Sequence, residues 1–226
     1  MRSRPALIFA FFALAAVSHA ADPLTPVFDH IDAAAKTFKG LTADISNTQH
    51  YALVDTNEVS AGAMRLLRVK PGLTRLFVTL KDSGGIKTFA VNGNEGRSFN
   101  PKTNILDVYD LSTKQGLVDQ FLLLGFGATS AELKSTYDVT YVGEEKIGAQ
   151  MTSHLKLIPK SAETLRTLKQ ADLWFAPNGL VTQQKLLWAS GDYKLVTYSN
   201  VKLGAPPEKE LELNPKGATI QKQSLK

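Results

Sequence analysis

The sequence predicts an α+β protein, in which a single curved antiparallel sheet of about eleven strands carries helices over one face. Three observations lead to this prediction. An amphipathic helical segment lies near the amino terminus, a long succession of short alternating segments follows it, and one strongly apolar helical segment interrupts that succession. Short loops between many strands favour a meander in which neighbours along the chain pair with each other.

The first element is a helix predicted over Pro26–Lys39. Its apolar residues recur at intervals of three and four, which places them on one face of the helix. They are Val27, Phe28, Ile31, Ala34, Ala35 and Phe38. Thr25 is a suitable N-cap, Pro26 suits the first helical position, and Gly40 is suited to end the helix.

After Gly40, apolar and polar residues alternate with the period of a half-buried strand. Turn-forming pairs such as Asn92-Gly93 and Asn178-Gly179 separate the alternating segments. The predicted strands are Leu41–Val54, Met64–Val69, Thr74–Leu80, Ile86–Val91, Gly96–Phe99, Ile105–Tyr109, Tyr137–Val142, Met151–Ile158, Ala171–Phe175, Leu180–Ala189 and Tyr193–Leu203. The Lys- and Gln-rich end of the chain is expected to fray.

A second helix is predicted over Thr113–Leu124, with Ser112 as its N-cap. Three apolar residues share one face of this helix, namely Leu117, Phe121 and Leu124. The run Phe121–Gly127 is apolar on all sides. A further helical turn is predicted over Ser130–Ser135.

The first 20 residues have the pattern of a secretory signal peptide. Arg2 and Arg4 precede the apolar run Ala6–Val17, which is too short to cross a bilayer, and small residues lead up to Ala20. We therefore expect export from the cytoplasm, cleavage after Ala20, and one domain over residues 21–226. No Cys follows the cleavage site, so no lipid anchor is expected.

Composition argues against several classes of function. The net charge of +5 falls to +3 once Arg2 and Arg4 are removed, and no basic stripe indicates nucleic-acid binding. The chain has 0 Cys, no pair of His at zinc-site spacing and no G-x-S-x-G motif. The sequence therefore predicts a protein that is not an enzyme and that holds no metal or other cofactor.

The apolar residues on alternating strands are more informative. On Thr74–Leu80 the residues Leu76, Val78 and Leu80 point to one face of the sheet. The two predicted helices have apolar stripes that could cover that face. Periodicity leaves two interpretations open, an ordinary packed core or a ligand cavity.

Several local motifs, taken in order, resemble the LolA family of lipoprotein carriers. Each motif is common in β proteins, and the resemblance rests on their order and spacing from Phe28 to Ile220. The motifs are Phe38-Lys39-Gly40-Leu41-Thr42-Ala43-Asp44, Gly62-Ala63-Met64-Arg65-Leu66, Val69-Lys70-Pro71-Gly72-Leu73-Thr74-Arg75, Val91-Asn92-Gly93, Phe99-Asn100-Pro101, Leu155-Lys156-Leu157-Ile158-Pro159-Lys160, Asp172–Leu180, Ser190–Asn200 and Leu213-Asn214-Pro215-Lys216-Gly217.

The resemblance implies a half-barrel closed by a helical lid over an apolar cavity, the fold of LolA, LolB and RseB. It implies a monomeric periplasmic chaperone that takes lipoproteins from an inner-membrane lipoprotein-releasing transporter. The carrier would shield their acyl chains and pass them to an outer-membrane acceptor. Two alternatives stay open, an RseB-like sensor of lipids or lipoproteins and a carrier of another amphiphile. The family's closing strand is aromatic, whereas Glu208–Leu213 here is rich in charge.

The resemblance also implies site residues. Leu76 takes a cavity position where the family often has Trp, and strand alternation adds Val78 and Leu80. The remaining acyl-binding residues are predicted to be Phe89, Val91, Leu117, Phe121 and Leu124. Lys70, the basic residue before the Pro of the first turn, is implied to hold the lid through backbone oxygens. Whether Trp174 and Trp188 line the cavity is left open.

Overall fold

A computed structural model describes residues 22–70, 73–112 and 124–223. The predicted signal peptide lies outside these residues, as does nearly all of the predicted helix Thr113–Leu124. Within the described ranges no helix is long and apolar enough to cross a membrane.

The amino-terminal helix α1 spans Leu24–Thr37, and its buried residues Val27, Phe28, Ile31 and Ala35 confirm the predicted apolar face. The helix starts two residues earlier than predicted, because the Asp22 carboxylate accepts a hydrogen bond from the Leu24 amide at 3.0 Å. Thr25 is therefore inside the helix and is not its N-cap. At the other end, a side chain on Gly40 would come within 2.4 Å of the Leu66 carbonyl oxygen, which explains the glycine there.

Twelve strands form one sheet in the described part of the chain. They are β1 Gly40–Tyr51, β2 Thr56–Lys70, β3 Leu73–Asp82, β4 Gly85–Asn92, β5 Glu95–Asn100, β6 Ile105–Asp110, β7 Tyr137–Ile147, β8 Gln150–Pro159, β9 Leu168–Phe175, β10 Val181–Trp188, β11 Tyr193–Leu203 and β12 Thr219–Gln223. The spatial order is β12-β6-β5-β4-β3-β2-β1-β11-β10-β9-β8-β7. The eleven predicted strands are present, and the sheet is open and curved, as predicted.

The twelfth strand is a correction to the expected frayed end. β12 pairs with β6 in parallel, with Thr219 opposite Ile105. The Gln223 amide donates to the Asp107 carboxylate at 2.6 Å, which adds a side-chain bond to the ladder. A polar segment of low apolar content is ordered here because an unpaired sheet edge offers it backbone hydrogen bonds.

Two further helices accompany the sheet. α2 spans Ser130–Thr136, close to the predicted helical turn, and begins with a capping box between Thr129 and Glu132. α3 is a single turn over Ala162–Leu165. The segment Glu208–Leu211 belongs to the part of the chain that the family resemblance assigns to a closing strand. In the structure it forms a 3-10 turn.

The two faces of the sheet carry separate apolar clusters. The larger cluster joins α1 and the segment Leu124–Gly127 to β1, β2 and the strands on their β11 side. We call this side the concave face. The smaller cluster lies on the opposite face, where Ala90 and Leu106 pack with Leu213.

Residues 206–218 cross that opposite face, and we call them the C-terminal strap. Arg75 bonds Glu208 at 2.9 Å and Arg65 bonds Glu210 at 2.9 Å. Arg97 donates to the Leu213 carbonyl oxygen at 2.9 Å. These contacts fix the path of the chain into β12.

Candidate functional site

The predicted cavity residues on β3 and β4 lie together on the concave face. Leu76 pairs with Val91 and Val78 pairs with Phe89 across the two strands, so all four side chains share one face. Leu80 joins them by alternation along β3. Leu76, Val78 and Leu80 pack against the larger apolar cluster and are only partly buried. Their role in binding a ligand stays a prediction.

Burial changes along the concave face. On β1 and β2, Leu41 and Leu66 are each 0% exposed, which is the burial of an ordinary core. On β4, Phe89 is 36% exposed on the same face. The concave face thus passes from a packed core beneath α1 to an accessible apolar surface on β3 and β4. The packed-core interpretation therefore holds for the part beneath α1, and the ligand cavity stays a prediction for β3 and β4.

The segment that leads into α2 closes over the packed part. Leu124 is 2% exposed and belongs to the larger cluster, and its role in binding acyl chains stays a prediction. Phe126 is 1% exposed and meets the ring of Tyr198 edge-on at 4.8 Å. Leu117 and Phe121 lie outside the described residues, and their place in the cavity stays a prediction.

The side chain of Arg68 on β2 contacts the segment Leu124–Gly127. The guanidinium of Arg68 donates a short hydrogen bond to the carbonyl oxygen of Gly127. It also lies 5.5 Å above the ring of Phe38 at the end of α1. Lys70, the residue implied to hold the lid, is exposed at the end of β2. Its role stays a prediction, while the contact of the implied kind is made two residues earlier.

The two helices that cover the packed part of the concave face, α1 and α2, are also bonded to each other. The carboxylate of Asp32 on α1 accepts hydrogen bonds from both the amide and the hydroxyl of Ser130 at 2.7 Å. The ammonium of Lys134 lies 4.1 Å above the ring of Phe28. α1 and α2 therefore form one cover.

A band of polar side chains crosses the concave face toward the β1–β2 turn. Asn47 donates to the Ser60 hydroxyl at 3.0 Å, and Tyr198 donates to the Gln184 amide oxygen at 3.1 Å. Burial raises the pKa of Tyr198 above its ordinary value. The band also contains Lys194, which is opposite both Gln49 and Leu186. The prediction from sequence missed this band, although Ile45-x-Asn47-x-Gln49 has the period that indicates it.

The two tryptophans lie on different sides of the sheet. Trp174 faces away from the concave side, where its ring stacks on His154 at 4.3 Å and its indole N–H donates to Glu145 at 2.7 Å. Trp188 is partly buried and lines a cavity of about 420 Å³ at the β10–β11 end of the sheet, together with Gln49 and Arg166. The tryptophan beside the concave face is therefore Trp188.

Two of the histidines are hydrogen-bonded to neighbouring side chains. His154 bonds the Asp172 carboxylate at 3.0 Å, and His50 bonds the Asn57 side chain at 2.9 Å. Within the described ranges no three His, Asp or Glu residues are grouped so that they could hold a metal ion.

Comparison with known proteins identifies the fold. No family model matches the sequence, and no curated protein is significantly similar to it. A solved structure of an uncharacterized conserved protein from Thermus thermophilus superimposes with a TM-score of 0.55 at 12% identity, covering 89% of this chain and 100% of that one. MucB superimposes with a TM-score of 0.51 at 15% identity, covering 87% of this chain. This chain spans 64% of the MucB chain.

Identities this low show a shared fold and leave the ligand undetermined. MucB is an RseB-type protein, so the predicted resemblance is confirmed at the level of fold. The chain shares the open curved sheet of MucB.

Proposed function

We propose that this protein is an exported carrier that shields acyl chains from water on its concave face. The accessible apolar surface on β3 and β4, next to a packed core and beside a bonded cover, supports the proposal. Phe89 is 36% exposed where Leu41 is 0% exposed, and the partly buried side chains of Leu76 and Val78 lie beside it on the same face.

The physical need for such a surface is large. Each buried CH₂ group is worth about 0.8 kcal/mol, so long acyl chains do not cross water unaided. A carrier must also release its cargo, which favours a partly open surface over a closed and tightly complementary pocket. The side chains of Leu76, Val78 and Phe89 form such a surface.

The cover supplies a step for loading and release. Arg68 bonds a single backbone oxygen, that of Gly127, and the cover is bonded internally through Asp32 and Ser130. Breaking the Arg68 contact would let the backbone at Gly127 move away from β2, while α1 stays packed through its buried side chains. We propose this movement as the opening that admits an acyl chain.

In its specific form the proposal is that the cargo is a lipoprotein, moved between an inner-membrane transporter and an outer-membrane acceptor in the periplasm. The protein would act as a monomer, without a cofactor and without a catalytic step. The predicted signal peptide and the LolA-like motifs support this form of the proposal.

Native mass spectrometry of the protein purified from the periplasm, together with extraction and identification of bound lipid, tests the proposal. An acylated protein or lipid bound at one per chain is the expected result. A ligand-free mass, combined with no uptake of a fluorescent fatty-acyl probe, would reject the carrier.

A second candidate is a regulator that senses lipid or lipoprotein and controls a partner protein. The fold likeness to MucB favours it, since MucB has been solved in complex with MucA(peri). Affinity purification from the periplasm distinguishes the two candidates. Stable capture of one membrane-anchored protein that is released by lipid would favour the regulator, and capture of many different lipoproteins would favour the carrier.

A further inference from the structure

A lysine lies within the concave face without a counter-charge. Val196 and Tyr198 on β11 pack against the larger apolar cluster, and alternation places Lys194 on the same face. Its direct neighbours across the sheet are Leu186 on β10 and Gln49 on β1. Among the described residues no carboxylate pairs with its ammonium group.

Acids in this region have other partners: the Asp192 carboxylate, two residues before Lys194, accepts a hydrogen bond from the Ala52 amide at 2.8 Å. Glu58 lies opposite Gln49, one strand further from Lys194, and the Lys87 ammonium is 3.7 Å from it. Lys87 also bonds Asp82 at 3.0 Å. One ammonium faces two carboxylates here, which leaves one negative charge at the rim, and neither carboxylate pairs with Lys194.

Burial lowers the pKa of Lys194 below its ordinary value, because the ammonium loses water without gaining a partner. An unpaired charge in such a position destabilises the ligand-free protein. An anion bound beside it would remove that cost.

An unpaired acceptor lies beside the lysine. The Asn47 side chain is 6% exposed, and its amide nitrogen donates to Ser60, but its amide oxygen Oδ1 has no hydrogen-bond partner within the described part of the chain. Asn47 is opposite Val196, so it is a diagonal neighbour of Lys194, at roughly 7–8 Å between backbones. Buried polar atoms without partners are rare, and one that lines a binding face indicates a missing ligand group.

We propose that Lys194 and Asn47 bind the polar end of the acyl ligand, and that this end carries an anionic group, a carboxylate or a phosphate. The anion would pair with the Lys194 ammonium, and a neighbouring hydroxyl or amide N–H of the ligand would donate to Asn47 Oδ1. The acyl chain would then extend along the concave face from Val196. This inference rests on the proposed acyl-binding function and adds the chemistry of the ligand's polar end.

Paired probes test the inference. Dansyl-undecanoic acid and its methyl ester have the same chain and differ in the anionic group. The wild-type protein should bind the acid about tenfold more tightly than the ester, as expected for one charge-assisted contact. Lys194→Met should remove this preference without weakening ester binding, and Lys194→Arg should retain it. Lys202→Met, an exposed lysine on the same strand, is the matched control and should behave as the wild type.

Competition distinguishes the two anions. Dodecyl phosphate that displaces the dansyl acid better than dodecanoate does would identify a phosphate headgroup, and the reverse order would identify a carboxylate. Equal affinity of the wild type for acid and ester, or a preference that survives in Lys194→Met, would overturn the inference and leave the carrier standing. Binding of neither probe would reject the carrier function and this inference together.

Discussion

The guanidinium of Arg68 on β2 donates a hydrogen bond to the backbone carbonyl of Gly127, across 59 residues of sequence. A side chain on Gly127 would come within 2.6 Å of this guanidinium and of the Phe38 ring, so the glycine permits the approach. The backbone of Gly127 has a positive φ of 82°, which also suits glycine. One bond thus connects the sheet to the segment that precedes α2.

Arg68→Ala should speed ligand release. The bond is charge-assisted, and such bonds contribute about 1.5–3 kcal/mol. If the bond holds the closed cover, its loss should raise the dissociation rate of a fluorescent fatty acid about tenfold or more. Stopped-flow displacement measures this rate. Arg68→Lys should show most of the effect, because a lysine cannot both reach the carbonyl and stack on Phe38.

Lys70→Ala is the informative comparison for that experiment. Lys70 is exposed, and the structure predicts a dissociation rate close to that of the wild type. Faster release from Lys70→Ala than from Arg68→Ala would show that the family-implied residue holds the cover.

Phe89→Glu should abolish uptake of an acyl probe and leave the sheet folded. Phe89 is 36% exposed on the concave face, so a carboxylate there meets water in the empty protein but would meet hydrocarbon in the loaded one. Ile86→Glu is the matched control, since Ile86 is 47% exposed on the same strand and points to the other face. Equilibrium titration with the probe, and circular dichroism for the fold, check both variants. Equal loss of binding in both would refute the assignment of the concave face.

The parts of the fold that sequence predicted are those set by local pattern. The apolar stripe of α1 and the alternation in the eleven strands are visible in any short window of the chain. Cross-strand neighbours such as Val78 and Phe89 follow once consecutive strands are assumed to pair. The order of β1 to β6 in the sheet is the order along the chain, which is why the predicted β3–β4 set came together.

The parts that were missed depend on contacts between distant segments. Nothing local to Thr219–Gln223 indicates that β6 offers it an open edge. The contact between Arg68 and Gly127 joins residues 59 positions apart, so no local pattern indicates it. The burial of Lys194 depends on the elements that cover β1, β10 and β11. No short window of sequence shows which elements these are.

Brominated fatty acid should quench the fluorescence of Trp188 and spare that of Trp174. The chain has 2 Trp, so Trp174→Phe and Trp188→Phe each leave a single emitter. Trp188 lies at the end of the concave face, and Trp174 stacks on His154 on the other side of the sheet. Titration with 2-bromododecanoate, whose bromine is next to the carboxylate, should therefore dim Trp174→Phe more than Trp188→Phe. The opposite order would place the ligand on the other face.

Leu211→Ala should destabilise the protein by about 2–5 kcal/mol, the usual cost of removing a buried leucine side chain. Leu211 in the C-terminal strap is 1% exposed. Urea unfolding measures the change in the free energy of unfolding. Leu203→Ala provides the control, because Leu203 is 60% exposed, and its change should stay within about 0.5 kcal/mol. Similar values for the two variants would mean that the strap does not stabilise the sheet.

Asp82→Asn should reduce the fall in the free energy of unfolding that the protein shows at acid pH. The hydrogen bond from Lys87 holds the pKa of Asp82 below its ordinary value of 3.8. The unfolded chain therefore binds a proton more readily than the folded chain does, so the contribution of Asp82 is complete above that ordinary value and is lost as pH falls through the lower folded pKa. Urea unfolding between neutral pH and pH values below 3.8 should show a smaller fall in unfolding free energy for Asp82→Asn than for the wild type. Asp29→Asn, at an exposed position of α1, should follow the wild-type profile. If both variants fall as steeply as the wild type, another carboxylate controls acid stability.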